Sequence, residues 1–302
     1  MQEVSRRLPI SAHHFSQGIL DIQWASDGEM FAILCGTGSL LVMTPRWQVL
    51  SEVTLPEPSA GAPGCLAWRP DAQYLAVSTE DMDSGNRIVR VLTNDLNLHS
   101  EGRNENNSGV ADLYPVLAWS TDSELVGSVQ RVRDHMQVVF FERNGLRHGE
   151  FMIPGADPTV FVPASLAWNS TCDLLAVHLN PAKGQADDGA TAAHVQLWQR
   201  DNYHWSCKLR LDEAATPAAA PALGSVQWDS EVAFRLRYMA GCSHIRQVDV
   251  DLSSSTSGGP CTLATNVQGD RVGLTPLAYM LTPPPLVLRA AAAAIKRHVR
   301  NV

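Results

Sequence analysis

Leu117-Ala118-Trp119-Ser120-Thr121-Asp122 is a short apolar run that ends in tryptophan and breaks at once into a polar turn, and this pattern occurs five times along the chain. The other copies are Ile22-Gln23-Trp24-Ala25-Ser26-Asp27-Gly28, Leu66-Ala67-Trp68-Arg69-Pro70-Asp71, Leu166-Ala167-Trp168-Asn169-Ser170-Thr171-Cys172-Asp173 and Val226-Gln227-Trp228-Asp229-Ser230. Their tryptophans stand 44, 51, 49 and 60 residues apart, near the roughly 40 to 50 residues of a four-stranded propeller blade. Behind each turn comes a second apolar run, at 30–35, 74–78, 124–129, 174–178 and 232–239. A third run follows, rich in β-branched or aromatic residues, at 39–44, 88–93, 137–142, 194–199 and 245–251. A weaker fourth run is clearest at 48–55, 148–153 and 205–211.

The pattern predicts an all-β, WD-type β-propeller of four-stranded antiparallel blades. About five complete blades and a partial sixth can be counted, which leaves closure of the ring open. The propeller is expected over 1–288, with blades near 18–55, 64–102, 115–154, 164–211 and 224–252 and the partial one at 261–282. A single meander cannot bury both its faces, so blades must stack around an axis, with the innermost strands expected to be buried on both sides. The Asp and Gly after each Trp supply turn chemistry, and core packing of Trp24, Trp68, Trp119, Trp168 and Trp228 follows from their fixed place at a strand end. Polar insertions at 100–112 and 180–191 and an Ala/Pro loop at 214–222 fall between strands, where added length costs little. Helical character is confined to the Ala-rich basic tail, 289–302.

The 302 residues carry 31 acidic and 23 basic side chains, a net charge of −8, which argues against a surface that itself grips phosphate backbones. Six cysteines without a close pair suggest neither a zinc ribbon nor a disulfide framework. No apolar run reaches the ~18 to 20 residues of a membrane span, and the N-terminus has no signal core. The expected compartment is the cytoplasm, with the nucleus as a second, and no membrane partner is expected. Asn106 and Asn169 begin glycosylation-type triplets that mean little in that setting.

Chemistry-bearing motifs are sparse. There is no Gly-x-Ser-x-Gly elbow and no phosphate-binding Gly-rich loop before a helix. Gly36-Thr37-Gly38 reads as a hairpin loop, and His13-His14 lacks companions at metal-ligand spacing. No catalytic residue, cofactor or metal is expected. Asn144-Gly145 reads as a type I′ hairpin turn. Arg143, Arg147 and His148 flank it and are candidates for contacting a partner or an RNA backbone. Asn202-Tyr203-His204-Trp205 reads either as an aromatic docking patch, built on Tyr203, His204 and Trp205, or as a hairpin turn with Trp205 folded back. Lys296, Arg297, His298 and Arg300 read as a solvated basic tail.

Two longer segments go beyond the generic pattern. Residues 138–151, Val-Val-Phe-Phe-Glu-Arg-Asn-Gly-Leu-Arg-His-Gly-Glu-Phe, and residues 195–205, Val-Gln-Leu-Trp-Gln-Arg-Asp-Asn-Tyr-His-Trp, resemble the first propeller of the largest subunit of the Elongator complex. Leu274-Thr275-Pro276-Leu277 with Pro283-Pro284-Pro285, Leu40 to Thr44 and the Trp168-Asn169 turn continue the resemblance in family order from about Ile19 to Pro285. The family's proteins are several times longer, with a second propeller, a helical-repeat arm and a basic C-terminal region implicated in tRNA binding, so the resemblance implies a piece of a longer protein. The link between Leu55 and Leu66 is shorter than the family's. The resemblance implies a non-catalytic scaffold supporting modification of the wobble uridine (U34) of tRNA. It would hold the catalytic subunit and the second propeller subunit and meet tRNA only through the assembly. Chemistry with acetyl-CoA, an iron–sulfur cluster and S-adenosylmethionine would belong to another subunit. The rival readings are a propeller enzyme or small-ligand binder using the central channel, which needs convergent His and carboxylates there, and a generic WD-repeat adaptor.

Overall fold

The computed structural model describes residues 16–56, 62–80, 85–102, 113–182, 193–201, 204–212, 226–240 and 244–250. The expected partial sixth blade, the basic tail, the 274–285 segment, His13-His14 and Asn106 lie outside them. Among the described residues, nineteen strands form five antiparallel sheets, each in plain sequence order. Blade one is β1 (Ile19–Trp24), β2 (Phe31–Cys35), β3 (Ser39–Met43) and β4 (Val49–Thr54); blade two is β5 (Cys65–Trp68), β6 (Tyr74–Glu80), β7 (Arg87–Thr93) and β8 (Leu98–Gly102). Blade three is β9 (Leu113–Trp119), β10 (Leu125–Val132), β11 (His135–Glu142) and β12 (Arg147–Ile153). Blade four is β13 (Phe161–Trp168), β14 (Leu174–Pro181), β15 (His194–Asp201) and β16 (His204–Asp212). The fifth sheet has β17 (Val226–Trp228), β18 (Arg235–Ala240) and β19 (His244–Asp249), three strands among the described residues where a complete blade was expected.

In each strand-one to strand-two turn a side-chain oxygen takes backbone N–H groups of the turn, three residues past the Trp in the first three blades and directly after it in the last two. Asp27, Asp71, Asp122 and Asp229 each accept the N–H two residues on, at 2.8 to 3.1 Å. In blade four Asn169 does this work, accepting from Leu174 N at 2.9 Å and Asp173 N at 3.1 Å. One residue in each of the first four turns is left-handed: Gly28, Ala72, Ser123 and Cys172. Only the first is the glycine that turn chemistry favours. The side chain of Asn169 is fully buried in this turn, so its triplet is closed to a glycan.

Four cores fill the joints between successive blades. Leu34, Leu40 and Val42 meet Trp68, Leu75 and Leu92 between blades one and two; Val89 and Val91 meet Trp119, Val126 and Phe141 between two and three. Phe140, Phe151 and Met136 meet Trp168, Leu175 and Trp198 between three and four, and Leu197 and Leu209 meet Val226, Leu236 and Tyr238 between four and five. Burial falls only in part where the repeat predicts: β5 is buried at every position, as expected of an innermost strand, and β9 and β13 at some. The second and third strands are the most enclosed: β2 and β3 are buried at every position, while β1 is half-buried or exposed throughout. The middle strands have a neighbouring strand on each edge and a neighbouring sheet on their faces. β1 looks onto an open channel instead, as do the half-buried positions of β9 and β13.

Two strands have limits other than those the repeat predicts. Val232 to Phe234 belong to the turn before β18, not to a strand, and Val232 and Phe234 are exposed there. The fourth strand of blade two, β8, runs into the stretch expected to be an insertion at 100–112; its sequence Leu-His-Ser-Glu-Gly has almost no apolar signature because the strand lies at the outer edge.

Polar ties join the blades. Trp68 Nε1 donates to the Gln23 carbonyl at 3.0 Å, and Trp228 Nε1 to the Ala167 carbonyl at 2.9 Å. Each indole thus bonds the residue just before the preceding blade's tryptophan. Three residues before the tryptophan, Asp21 Oδ2 accepts from Leu66 N at 2.8 Å, and Ser165 Oγ accepts from Val226 N at 3.2 Å. Burial, opposed by hydrogen bonds from Leu66 N, Ile22 N and the Gln23 amide, pushes the Asp21 carboxyl above its usual range. A raised carboxyl pKa means the folded chain holds its proton longer, so this group's contribution to stability falls as pH rises from about 4 toward the raised value. Asp21→Asn removes the charge and keeps an oxygen for Leu66 N while turning its NH2 toward Ile22 N, and its stability is expected to vary less between pH 4 and 7 than the parent's. Asp21→Ala leaves the Leu66 N–H unbonded and should cost about 1–3 kcal/mol. Urea unfolding of the three proteins at both pH values checks this.

Candidate docking surface and channel

The five innermost strands line an open cavity of about 550 Å³, walled by Trp24, Trp68 and Trp119 with aliphatic and small residues of β9, β13 and β17. Among its described lining residues Asp21 is the one carboxylate, and none is a histidine. Both Asp21 oxygens accept protein N–H groups: Oδ1 from Ile22 N at 2.8 Å and Oδ2 from Leu66 N. Among the described residues no group of three His, Cys, Asp or Glu side chains is placed to hold a metal ion, and no helix is long and apolar enough to cross a membrane.

The β11–β12 turn has a different geometry from the type I′ turn its sequence predicts. Type I′ requires positive φ at both central residues, and here Gly145, at +87°, is left-handed while Asn144 is not. Gly145 N donates to the Glu142 carbonyl at 2.9 Å, Glu142 N to the Leu146 carbonyl at 2.8 Å, and the pairing slips between Phe140 and Phe141. This is a type I turn closed by a glycine bulge, a three-residue loop of Arg143, Asn144 and Gly145. The reason lies in blade two. Ser100 Oγ donates to the Arg143 carbonyl at 2.5 Å, and a Cβ on Gly145 would collide with the Glu101 carbonyl oxygen. Gly145→Ala is therefore expected to lose about 2–3 kcal/mol, from left-handed strain and from the clash with β8 backbone. Thermal unfolding measures it, and a loss below ~0.5 kcal/mol would contradict this packing.

That turn walls a cleft of about 400 Å³ between blades two and three, lined by Arg69, Glu124, Glu142, Arg143, Asn144 and His148 among others. The guanidiniums of Arg69 and Arg143 both lie over the Tyr74 ring, 4.6 and 5.2 Å from its centroid, and His99 meets the same ring edge-on at 5.1 Å. Arg69 is held by Asp71 through two nitrogens, which keeps the Asp71 carboxyl below its usual range. Glu142 takes His148 Nδ1 at 3.1 Å and Asn144 Nδ2 at 3.1 Å, and these bonds lower its pKa, His148 foremost. Arg147, one residue away, pairs instead with Glu150 outside the cleft. Sequence alone brings Arg143 and His148 together; it gives no sign of Arg69, Tyr74 or Glu124, which other segments deliver.

Tyr203 and Asn202 lie outside the described residues. His204 is exposed, at the start of β16 and paired with Asp201. Trp205 turns inward: its ring stacks on Phe151 at 4.8 Å and Phe140 at 5.3 Å and meets Trp168 edge-on at 5.6 Å. Trp198 joins at 4.5 Å from Phe151. The two segments that look most distinctive in the sequence thus pack against each other across one joint, Phe140 and Phe151 from the first, Trp198 and Trp205 from the second. Phe141, next to Phe140, points the other way, into the joint with blade two.

These features define a β-propeller built of four-stranded blades. The likeness to the β-propeller domain of Cps50 (Swd1) of Myceliophteria thermophila, at a TM-score of 0.53 and 11% identity over 82% of this chain and 69% of that one, is a likeness of fold. Residues 63–231 match the family described as "ELP1 first N-terminal beta-propeller", and the chain belongs to that family. It is 31% identical over 221 residues to the putative elongator complex protein 1 of Xenopus laevis, covering 73% of this chain and 18% of that protein. Against elongator complex protein 1 of Mus musculus it is 28% identical over 316 residues, 90% of this chain and 23% of the relative. For the Saccharomyces cerevisiae protein the figures are 32% over 243 residues, 74% and 16%. The chain thus spans about one-fifth of the length of these relatives.

Proposed function

We propose that the chain serves as a non-catalytic platform in Elongator, its rims and edges holding the catalytic subunit and the second propeller subunit while the wobble uridine of tRNA is modified. Residues 1–288 form the propeller in this reading, with 289–302 appended as a basic tail, and tRNA is met only through the assembly. Membership of the family supports the place in the complex. The observation that carries the non-catalytic role is the channel lining. Acid–base chemistry needs a group free to reach a substrate, and the one described carboxylate there, Asp21, already uses both oxygens, Oδ1 on Ile22 N of its own strand and Oδ2 on Leu66 N of blade two. Buried middle strands suit a rigid body that is read from outside.

The test is affinity capture of the tagged full-length protein from its own cells, together with its deletion. Capture is expected to recover the catalytic Elongator subunit, and deletion to deplete the modified side chain of wobble uridine. Intact modification after deletion would overturn the proposal.

A further inference from the structure

Resting on this platform reading, we infer that the cleft between blades two and three receives a segment of a partner subunit in which an acidic residue, bound by Arg143, stands beside a basic one, bound by Glu124. Three of the five ionisable side chains lining the cleft are satisfied within the protein: Arg69 by Asp71, and Glu142 and His148 by each other. Arg143 and Glu124 make no ion pair with any described residue, although they line the same cleft. Their failure to join each other leaves a site with a donor at one wall and an acceptor at the other.

The Arg143 side is also built in advance. Ser100 and the Glu101 carbonyl fix its turn against β8, and Tyr74 supports the guanidinium from beneath. Holding an arginine on an aromatic face lowers the ordering cost of a later bond to a carboxylate and leaves its planar fork open. A polyanion fits less well. Glu124 and Glu142 flank the cleft and the chain carries a net −8, so successive phosphates would meet like charge. One acid next to one base meets opposite charge at both walls.

The experiment uses the full-length protein, tagged and purified with its subunits from its own cells, as the parent, Arg143→Glu and Arg143→Lys forms. Retention of each subunit is quantified across a salt series, with the thermal midpoint of each form recorded. In a separate preparation a photo-crosslinking residue replaces Leu146, which is exposed on the same turn. Arg143→Glu is expected to weaken one subunit's binding by roughly tenfold or more, and Arg143→Lys by less, with unchanged melting. The crosslink should fall on a segment with Asp or Glu, and changing that acid to Lys should restore binding to the Arg143→Glu form. Unaltered retention by Arg143→Glu, a crosslinked segment with no acid, or loss of tRNA with every subunit retained would each overturn the inference. If the parent itself retains no Elongator subunit, the platform reading fails and this one with it; parent retention unmatched by any Arg143 effect retires this one alone.

Discussion

Replacing Phe140 by alanine is expected to destabilise the protein by about 3–5 kcal/mol, the range for a large aromatic lost from a close-packed interior. The ring is 2% exposed and lies at the centre of the joint between blades three and four. It stacks on Trp205 at 5.3 Å, with Trp168 at 5.8 Å and Phe151 at 6.1 Å. Removing it deletes a large apolar side chain and leaves a void among three bulky rings that cannot collapse without breaking their own contacts, which is the condition for a cost at the upper end. Phe234, 38% exposed in the turn before β18, is the control: its truncation should cost below ~1 kcal/mol. Urea unfolding of both variants reads the difference, and equal losses would show that the aromatic joint is not where stability resides.

The second large effect is a dependence on pH. His178 on β14 is fully buried, with Ser165 of β13 and Val195 of β15 as its strand partners and His194 beside it on β15. Burial, with a lesser contribution from His194, lowers its pKa from 6.5 to about 4. The unfolded chain therefore takes up this proton first as the solution is acidified. Stability from this group is intact above about pH 6.5, drains away as pH falls, and levels out below about 4. At ~1.4 kcal/mol per tenfold change in proton affinity the loss reaches ~3 kcal/mol. His178→Gln removes the titration, so its unfolding free energy should vary less between pH 7 and 4.5 than the parent's. Parallel curves for the two proteins would contradict the buried neutral imidazole. Asp21 acts with the opposite sign, and its Asn variant can be followed in the same titration.

How much of this could be read from the chain depends on how local each cause is. The tryptophan turns are legible because Asp71 or Asp122 bonds a backbone group two residues away, a bond that needs no other part of the molecule. Left-handed Ala72, Ser123 and Cys172 are not legible, since nothing in their own chemistry favours positive φ and only the turn around them imposes it. The apolar stripe of β2 reads correctly as buried. The apolar run before a tryptophan reads correctly at β5, which is buried throughout, and misleads at β1, whose residues face partly into a channel that the sequence does not display. Asp21 does carry a signal in its position: it and Ser165 stand at the same distance before their tryptophans, polar residues inside otherwise apolar runs. At the cleft, Arg143 and His148 could be found from their turn, whereas Arg69 and Tyr74 lie some seventy residues away and arrive only when blades two and three stack.

The same indole-to-carbonyl tie that links Trp68 to Gln23 also links Trp228 to Ala167, and each reaches no further than the adjoining blade. Such a molecule behaves like a row of links in which disturbance is passed on hand to hand and fades with distance. A lesion at one seam loosens the two sheets that share it, whose amide protons then exchange early, while sheets farther round keep their protection. Damage at one seam therefore leaves the surface of the distant blades in its native shape.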